Sequence, residues 1–420
     1  MKKKIILILL IVGLLSSSLY ANFFDDNEFF DLGKTFKPIS ARMEAMGGAG
    51  LATSRNNDAF FYNPANLADS KFSLNLPSVS VTLFNPKKII DSGVLQKLME
   101  GKEFDPTTDV LAVLGTLNRK GDILTTDIAT SFTVGGFGLG LNIQQQLHNI
   151  ETGVDANLFA ELNVGLSVGL GVRIDLLPRK ISLDVGAVAR PTYKVYTAGI
   201  GVETVTNIAL GDDSEEDALN AIMKEVALAA GSALPFDVGV NLNLPFGFRV
   251  SAVARDINGK FSMEKYEHSG DYINEMMDLF GGDKNTYKDG DPNYKPTKFE
   301  VEVPWSLDFG VGWVGSFGRL DKFIRPTFSF DFVDVNNLAK ALETDKNAYW
   351  NHLRAGVELR LLSTIDLRAG MNRGALSVGV GLDLFAMRVD AAYYWREMGV
   401  SIGDRSVDAF TIRFNLGYDR

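Results

Sequence analysis

The stretch LFAELNVGLSVGLGVRIDL, Leu158 to Leu176, decides how the rest of this 420-residue chain is read. Its apolar residues fall at every second position: Leu158, Ala160, Leu162, Val164, Leu166, Val168, Leu170, Val172, Ile174 and Leu176. Between them stand Phe159, Glu161, Asn163, Gly165, Ser167, Gly169, Gly171, Arg173 and Asp175, small or polar but for the first. Successive side chains of a strand point to opposite faces, so one face of this segment is oily and the other wet. Ordinary strands run to about five or six residues. An alternation this long suits a tilted strand that crosses a membrane and extends beyond it.

The pattern recurs. Leu353, Ala355, Val357, Leu359 and Leu361 alternate with Arg354, Gly356, Glu358 and Arg360, and Phe410, Ile412, Phe414 and Leu416 with Thr411, Arg413 and Asn415. Trp305 to Trp313 and Val389 to Trp395 repeat it. The second face carries too much charge for a dry sandwich core, where unpaired charge is very costly. A soluble protein would bury the oily stripes instead, but almost no helical sequence is left to cover them. The expected fold is therefore all-β, a 14-stranded antiparallel transmembrane β-barrel. Its strands are read at 72–84, 123–134, 137–147, 156–176, 181–196, 235–244, 247–262, 303–315, 323–334, 349–361, 365–371, 375–384, 387–398 and 407–418. Short turns on one rim, such as Gly135-Gly136, Pro245-Phe246 and Phe385-Ala386, oppose long loops at 85–122, 197–234, 263–302 and 335–348. That asymmetry is the outer-membrane signature, with short turns in the periplasm. On this reading Leu166 faces lipid, and an Arg is better tolerated at Ser167 than at Leu166.

The first residues fix the route. Met1-Lys2-Lys3-Lys4 is a positive start, Ile5 to Leu15 is apolar, and Ser16 to Ala21 is small and polar. Residues 1–21 read as a secretory signal peptide, too short to span a bilayer comfortably. Beyond it no run of 18 apolar residues occurs, so any crossing is by strands. With no Cys, neither disulfides nor thiolate metal sites are available. A net charge of −10 and no basic patch argue against a nucleic-acid partner. The 41 Gly and 28 Phe fit short alternating strands.

Residues 22–71 precede the barrel, which occupies 72–420, and contain the stretch RMEAMGGAGLATSRNNDAFFYNPANLA, Arg42 to Ala68. A 14-stranded barrel is wider than its own side chains can fill. A segment rich in small residues can pack closely inside it, so this stretch is read as an N-terminal helical hatch, or plug. Asn63-Pro64 ends a short helix and pins a turn.

At these residues, MGGAG followed by DAFFYNPANLA before a barrel of about fourteen strands, the sequence resembles the FadL-type outer-membrane transporters of hydrophobic compounds. Relatives on the same fold, PorV-like secretion components and TraF-like proteins, share the resemblance. The likeness implies a hatch inside the barrel, capture of an oily ligand such as a long-chain fatty acid between extracellular loops, and exit sideways through the wall. It implies ligand contact at the hatch residues Phe60, Phe61, Tyr62, Asn63 and Pro64. It also places surface capture at Ile222 and Val226 in one loop and at Met276, Met277 and Phe280 in the next. Both loops carry helical spacing, the first opened by a capping box at Ser214 to Asp217. Partners on this reading are outer-membrane lipids and a hydrophobic small molecule. The alternative is a non-transporting scaffold or PorV-like secretion component that holds a protein partner. It is favoured by the inward Arg354, Glu358, Arg360, Asp366, Arg368, Arg388, Asp390, Arg396 and Arg413, and the chain ends Tyr418-Asp419-Arg420 rather than on an aromatic residue. An apolar pocket against Phe60 to Tyr62 beside a kinked strand would speak for transport, and a sealed charged lumen for the scaffold.

No catalytic, metal or cofactor site is expected. His148, His268 and His352 lie far apart in sequence, and the Gly runs lack the Lys-Ser/Thr of a phosphate loop. The acidic stretch Asp283 to Asn293 misses the calcium-loop template at Tyr287 and reads as a solvated loop.

Overall fold

The computed structural model describes residues 36–91, 121–152, 155–178, 180–197, 200–201, 226–282, 294–344, 346–397 and 406–419. It also describes isolated positions at 93, 96–97, 100 and 223–224. The strands form one closed antiparallel barrel of fourteen. In chain order they are β1 (Ser73–Phe84), β2 (Gly121–Val134), β3 (Phe137–Thr152) and β4 (Asp155–Leu177). Four further strands come in pieces: β5 (Ile181–Ala189, Thr192–Thr197, Ile200–Gly201), β6 (Leu228–Ala233, Phe236–Asn243), β7 (Phe248–Ile257, Lys260–Tyr266) and β8 (Thr297–Glu302, Ser306–Val314). The rest are β9 (Ile324–Phe332), β10 (Leu353–Leu361), β11 (Ile365–Asn372), β12 (Ala375–Asp383), β13 (Met387–Glu397) and β14 (Ser406–Asp419). Each pairs with its neighbours, and β1 closes the ring on β14 with Val81 opposite Ile412.

The alternation in β4 is realised from Leu162 to Leu176, whereas Ala160, nearer its upper end, is buried. Leu166, Val168, Leu170, Val172 and Ile174 are exposed on the outside, while Asn163, Gly165, Ser167 and Gly169 are buried inside. Phe309, Val311, Phe328, Phe330, Val378, Val380, Phe410 and Phe414 continue the outer band around the ring. Among the described residues no helix is long and apolar enough to cross a membrane. A closed sheet leaves no backbone edge unpaired, and its oily band needs lipid around it. The protein is an outer-membrane β-barrel.

The sequence reading runs two of these strands, 181–196 and 247–262, through as continuous and starts the other two at 235 and 303, where the structure has an interruption in all four. β5 breaks at Arg190-Pro191, β6 at Leu234-Pro235 and β8 across Pro304, where proline offers no N–H to the ladder. β7 breaks at Asn258-Gly259, with Asp256 and Asn258 both left-handed at φ of 56° and 60°. The upper pieces of β6 and β8 also begin earlier in the chain than expected.

Beyond the interruptions the wall changes character. On its outer face Leu228, Ala230 and Tyr266 are covered by Tyr193, Val195, Tyr272 and Tyr294 rather than left bare. Tyr272 belongs to a helix at Ser269–Leu279, which realises the helical spacing seen in that loop. A second helix, Val335–Thr344, sits in the loop between β9 and β10. One connection on the long-loop rim is tight: Arg373-Gly374 joins β11 to β12 with both residues left-handed.

Candidate functional site

Residues 36 to 70 lie within the barrel. Two short helices, α1 (Ala41–Ala45) and α2 (Ala59–Tyr62), are joined by turns and followed by a 3-10 stretch from Pro64 to Asp69. The turn after α1 needs Gly47 and Gly48, both left-handed at φ of 64° and 71°. Small residues on both sides let backbone meet backbone. A Cβ at Gly356 or Gly370 of the wall would land on Met46 or Gly47, one at Gly186 on Pro64, and one at Gly171 on Ala68. The Gly-rich inner face of the strands is thus a mould for this segment.

Charge fixes the segment on one side. Arg42 donates to Glu358 at 2.9 and 3.2 Å, and Arg55 reaches the same carboxylate at 2.9 Å. Arg368, fully buried, donates to Glu358 at 2.7 Å, Asp390 at 2.7 Å and Asp366 at 2.9 Å. Arg388 adds Asp390 at 2.8 Å and also bonds Asp366. The backbone amides of Gly50 and Leu51 donate to Asp331 at 2.6 and 3.0 Å. Buried charge is stable only when paired and hydrogen-bonded in this way.

The motif residues serve the same packing. Phe60 fills the space over Gly138, Gly140 and Gly169, and Phe61 meets Phe36 edge-on with ring centroids 5.9 Å apart. Arg255 donates to the carbonyls of Phe61 and Tyr62, and the Lys37 ammonium lies 3.5 Å from the Tyr62 ring centroid. The Asn63 side chain accepts from the Ala65 amide at 2.9 Å and donates to the Leu51 carbonyl at 3.0 Å and to Asn241 at 2.7 Å. Pro64 follows as the first residue of the 3-10 stretch, its carbonyl against Gly186. Asn66, which the sequence reading did not single out, donates to Leu51 and Ser54 and accepts from Asn241. Its place in NPAN, three residues after Asn63, was the signal available. Phe60, Phe61 and Tyr62 are buried, and the cavity beside Phe61 and Tyr62, bounded by Ile39, Asp127 and Arg413, holds only about 10 Å³.

The interrupted strands carry a second arrangement. Arg190, at the break in β5, donates to Asp237 of β6 at 2.8 Å, Asp256 of β7 at 2.5 Å and the Phe36 carbonyl of the luminal segment at 3.3 Å. Above it Lys194 pairs with Glu161 at 2.9 Å. Higher still the inner wall is apolar: Tyr196, Ala229, Ala233, Phe261, Met263 and Val303 are buried together, with Phe159, Phe299 and Val301 packed against them. Below Arg190 a further apolar cluster joins Val188 to Phe36, Met43, Phe60, Phe61 and Tyr62. Two oily clusters therefore face each other along strands β4 and β5 across a belt of paired charge.

The loop residues separate. Phe280, just past the helix Ser269–Leu279, is 82% exposed, Met277 is exposed and Met276 is half-buried. Val226 is 2% exposed and not at the surface, because the chain there is held down through its carbonyl by the Ser269 amide. Ile222, the capping box at 214–217 and the acidic stretch 283–293 lie outside the described residues. The histidines stay apart: His148 bonds Asp122 at 2.5 Å, His268 the Lys224 carbonyl at 2.5 Å and His352 the Val333 carbonyl at 2.8 Å.

No protein-family model matches the sequence. No curated protein matches it either. Among solved structures it is similar to the toluene transporter TodX of Pseudomonas putida. Identity is 11%, with 92% of this chain and 99% of that chain covered, at a TM-score of 0.43. It is likewise similar to a FadL homologue of Pseudomonas aeruginosa, at 11% identity over 90% of this chain and 98% of that one, with a TM-score of 0.40.

Proposed function

We propose that this barrel is a passive transporter of the FadL kind, admitting small hydrophobic molecules such as long-chain fatty acids through the outer membrane. The observation that carries the reading is the wall of β5 to β8. Four adjacent strands are interrupted, and the interruption lies between two enclosed apolar clusters. A transporter for oily cargo needs an apolar interior above a place where the wall is weak. Arg190 holds that place by tying three strands to Phe36, while its Nε and Asp237 Oδ2 have no hydrogen-bond partner among the described residues. A buried network left partly unsatisfied is the kind that opens at low cost. In this reading residues 22–71 act as the hatch, after removal of residues 1–21. The exposed Met277 and Phe280 are the first contact for cargo, and Phe61 with Phe36 forms the floor beneath it.

A scaffold role has its own support. The cavity beside Phe61 and Tyr62, at about 10 Å³, is too small for an oily ligand, and paired charges of β10, β11 and β13 line the lumen. Uptake separates the two. Labelled long-chain fatty acid and a labelled monoaromatic compound are offered to Gram-negative cells that lack their own hydrophobic-compound channel. Cells carrying this barrel should accumulate at least one of them several-fold faster than cells carrying the empty vector. Equal uptake with the barrel folded in the outer membrane would leave the scaffold reading.

A further inference from the structure

We propose a phospholipid site on the outside of the barrel at the short-turn rim, independent of what the lumen carries. Phe248, Trp313, Phe328, Phe330 and Val357 stand around a shallow crevice of about 340 Å³ floored by Ala355. All six point outward in the strand alternation, so the crevice opens to lipid and not to the lumen. Its aromatic walls are held in place. Trp313 lies 5.6 Å from Phe328 and 6.2 Å from Phe248 between ring centroids, and its indole N–H donates to the Phe246 carbonyl at 2.8 Å. An apolar recess with rigid walls on a membrane face takes an acyl chain.

The rim below shows where the headgroup sits. Phe246 and Phe385 occupy turn tips at φ of 64° and 69°, and they are 89% and 82% exposed. Bulky side chains are strongly disfavoured in the left-handed region, where Gly or Asn is the usual occupant. Exposed to water they would be unfavourable a second time; in the membrane interface they are at home. Leu362, also left-handed and exposed, repeats the pattern in a third turn on this rim. The turn Gly318–Lys322 leads from β8, beyond Trp313, into β9 and presents Arg319 and Lys322, both exposed. Its own carboxylate, Asp321, is turned inward onto Ser316 and the Phe317 amide. Two exposed cations on the turn that joins the crevice-lining strands β8 and β9 match the phosphate of an anionic phospholipid.

The four tryptophans permit a direct test. In a variant keeping only Trp313 (Trp305→Phe, Trp350→Phe, Trp395→Phe), fluorescence is followed in phosphatidylcholine vesicles. These contain a small fraction of acyl-brominated phosphatidylglycerol or, in parallel, acyl-brominated phosphatidylcholine. Phosphatidylglycerol should quench Trp313 about twofold more than phosphatidylcholine at equal mole fraction, the scale of one exposed ion pair. Arg319→Ala with Lys322→Ala should abolish the difference, and so should Ala355→Phe, which fills the crevice. Heat-modifiable gel mobility checks that each variant is folded. Equal quenching by both lipids in the parent overturns the proposal. So does a preference that survives Ala355→Phe, since the charge would then act on lipid at large, and so does loss of quenching by both lipids on self-association.

Discussion

The two sides of this barrel are built to opposite rules. Strands β9 to β14 run uninterrupted, and their inner face is a ladder of paired charge gripping the luminal segment through Glu358, Arg368 and Asp390. Strands β5 to β8 are each broken at a proline or a left-handed Asx residue, and above the break their inner face is apolar. Both sides share one hydrogen-bonded ring. Closure of the sheet sets the container, while the inward residues make one side a socket of paired charge and the other a partly apolar wall.

The comparison is broken most severely at Glu358. Three guanidiniums converge on its carboxylate, and Glu358→Ala leaves Arg42 and Arg368 buried and short of a partner. Removing one member of a buried charge network costs about 3–5 kcal/mol. Arg55, partly exposed, adds little to that. Limited proteolysis should cut between residues 42 and 58 in the variant and not in the parent, while the barrel keeps its heat-modifiable mobility. Protection equal to the parent would mean that the charge ladder does not hold the segment.

Next in size is the lipid face. Leu166→Arg puts charge near the bilayer midplane and should cost about 2–4 kcal/mol in unfolding from lipid vesicles. The alternation alone suggests that Arg at Ser167 is tolerated better. The structure changes that expectation, because Ser167 is only 1% exposed and the luminal segment occupies the space in front of β4. Overpacking there should cost about 1–3 kcal/mol. The two variants then fail for different reasons, and deleting residues 36–70 should rescue Ser167→Arg alone.

The mould itself is tested at Gly370, where any Cβ meets the backbone of Met46 and Gly47. Gly370→Val should destabilise the seated segment by about 1–3 kcal/mol. The same change at Gly318, with open space around it, is strained only through its positive φ of 66°. Smallest is Asn63→Ala, which removes hydrogen bonds to Ala65, Leu51 and Asn241 and should cost about 1–2 kcal/mol by denaturant titration.

How much of this was legible follows from the range of the signals. Period-two alternation is local, so it placed all fourteen strands and assigned the faces of β4 correctly. The same reasoning runs across Pro191 and Asn258-Gly259, because hydrophobic residues continue on both sides of each, and it misses the pieces ahead of Pro235 and Pro304. The prolines and the Asn-Gly pair were readable warnings of an interrupted ladder. The small residues from Gly47 to Gly50 announced close packing, but the wall glycines that receive them lie some hundreds of positions away. Arg42 and Glu358 are likewise distant in sequence, and only closure of the ring brings them together. Val226 was read from helical spacing as a surface contact, whereas the loop fold buries it.

If cargo passes on the broken side, as proposed above, the luminal segment must move there. The chain has no Cys, so engineered pairs act in a clean background. Phe36 lies against Gly165 beside the interruption, and on the unbroken side Ala45 lies against Ser377, whose hydroxyl donates to the Ala45 carbonyl at 3.1 Å. Phe36→Cys with Gly165→Cys and, separately, Ala45→Cys with Ser377→Cys tether the segment at one place or the other. Uptake of labelled hydrophobic compound is measured in whole cells before and after reduction. The tether at Phe36 should block uptake until reduced, whereas the tether at Ala45 should leave uptake unchanged. Uptake indifferent to the Phe36 tether, or blocked equally by both, would contradict that route.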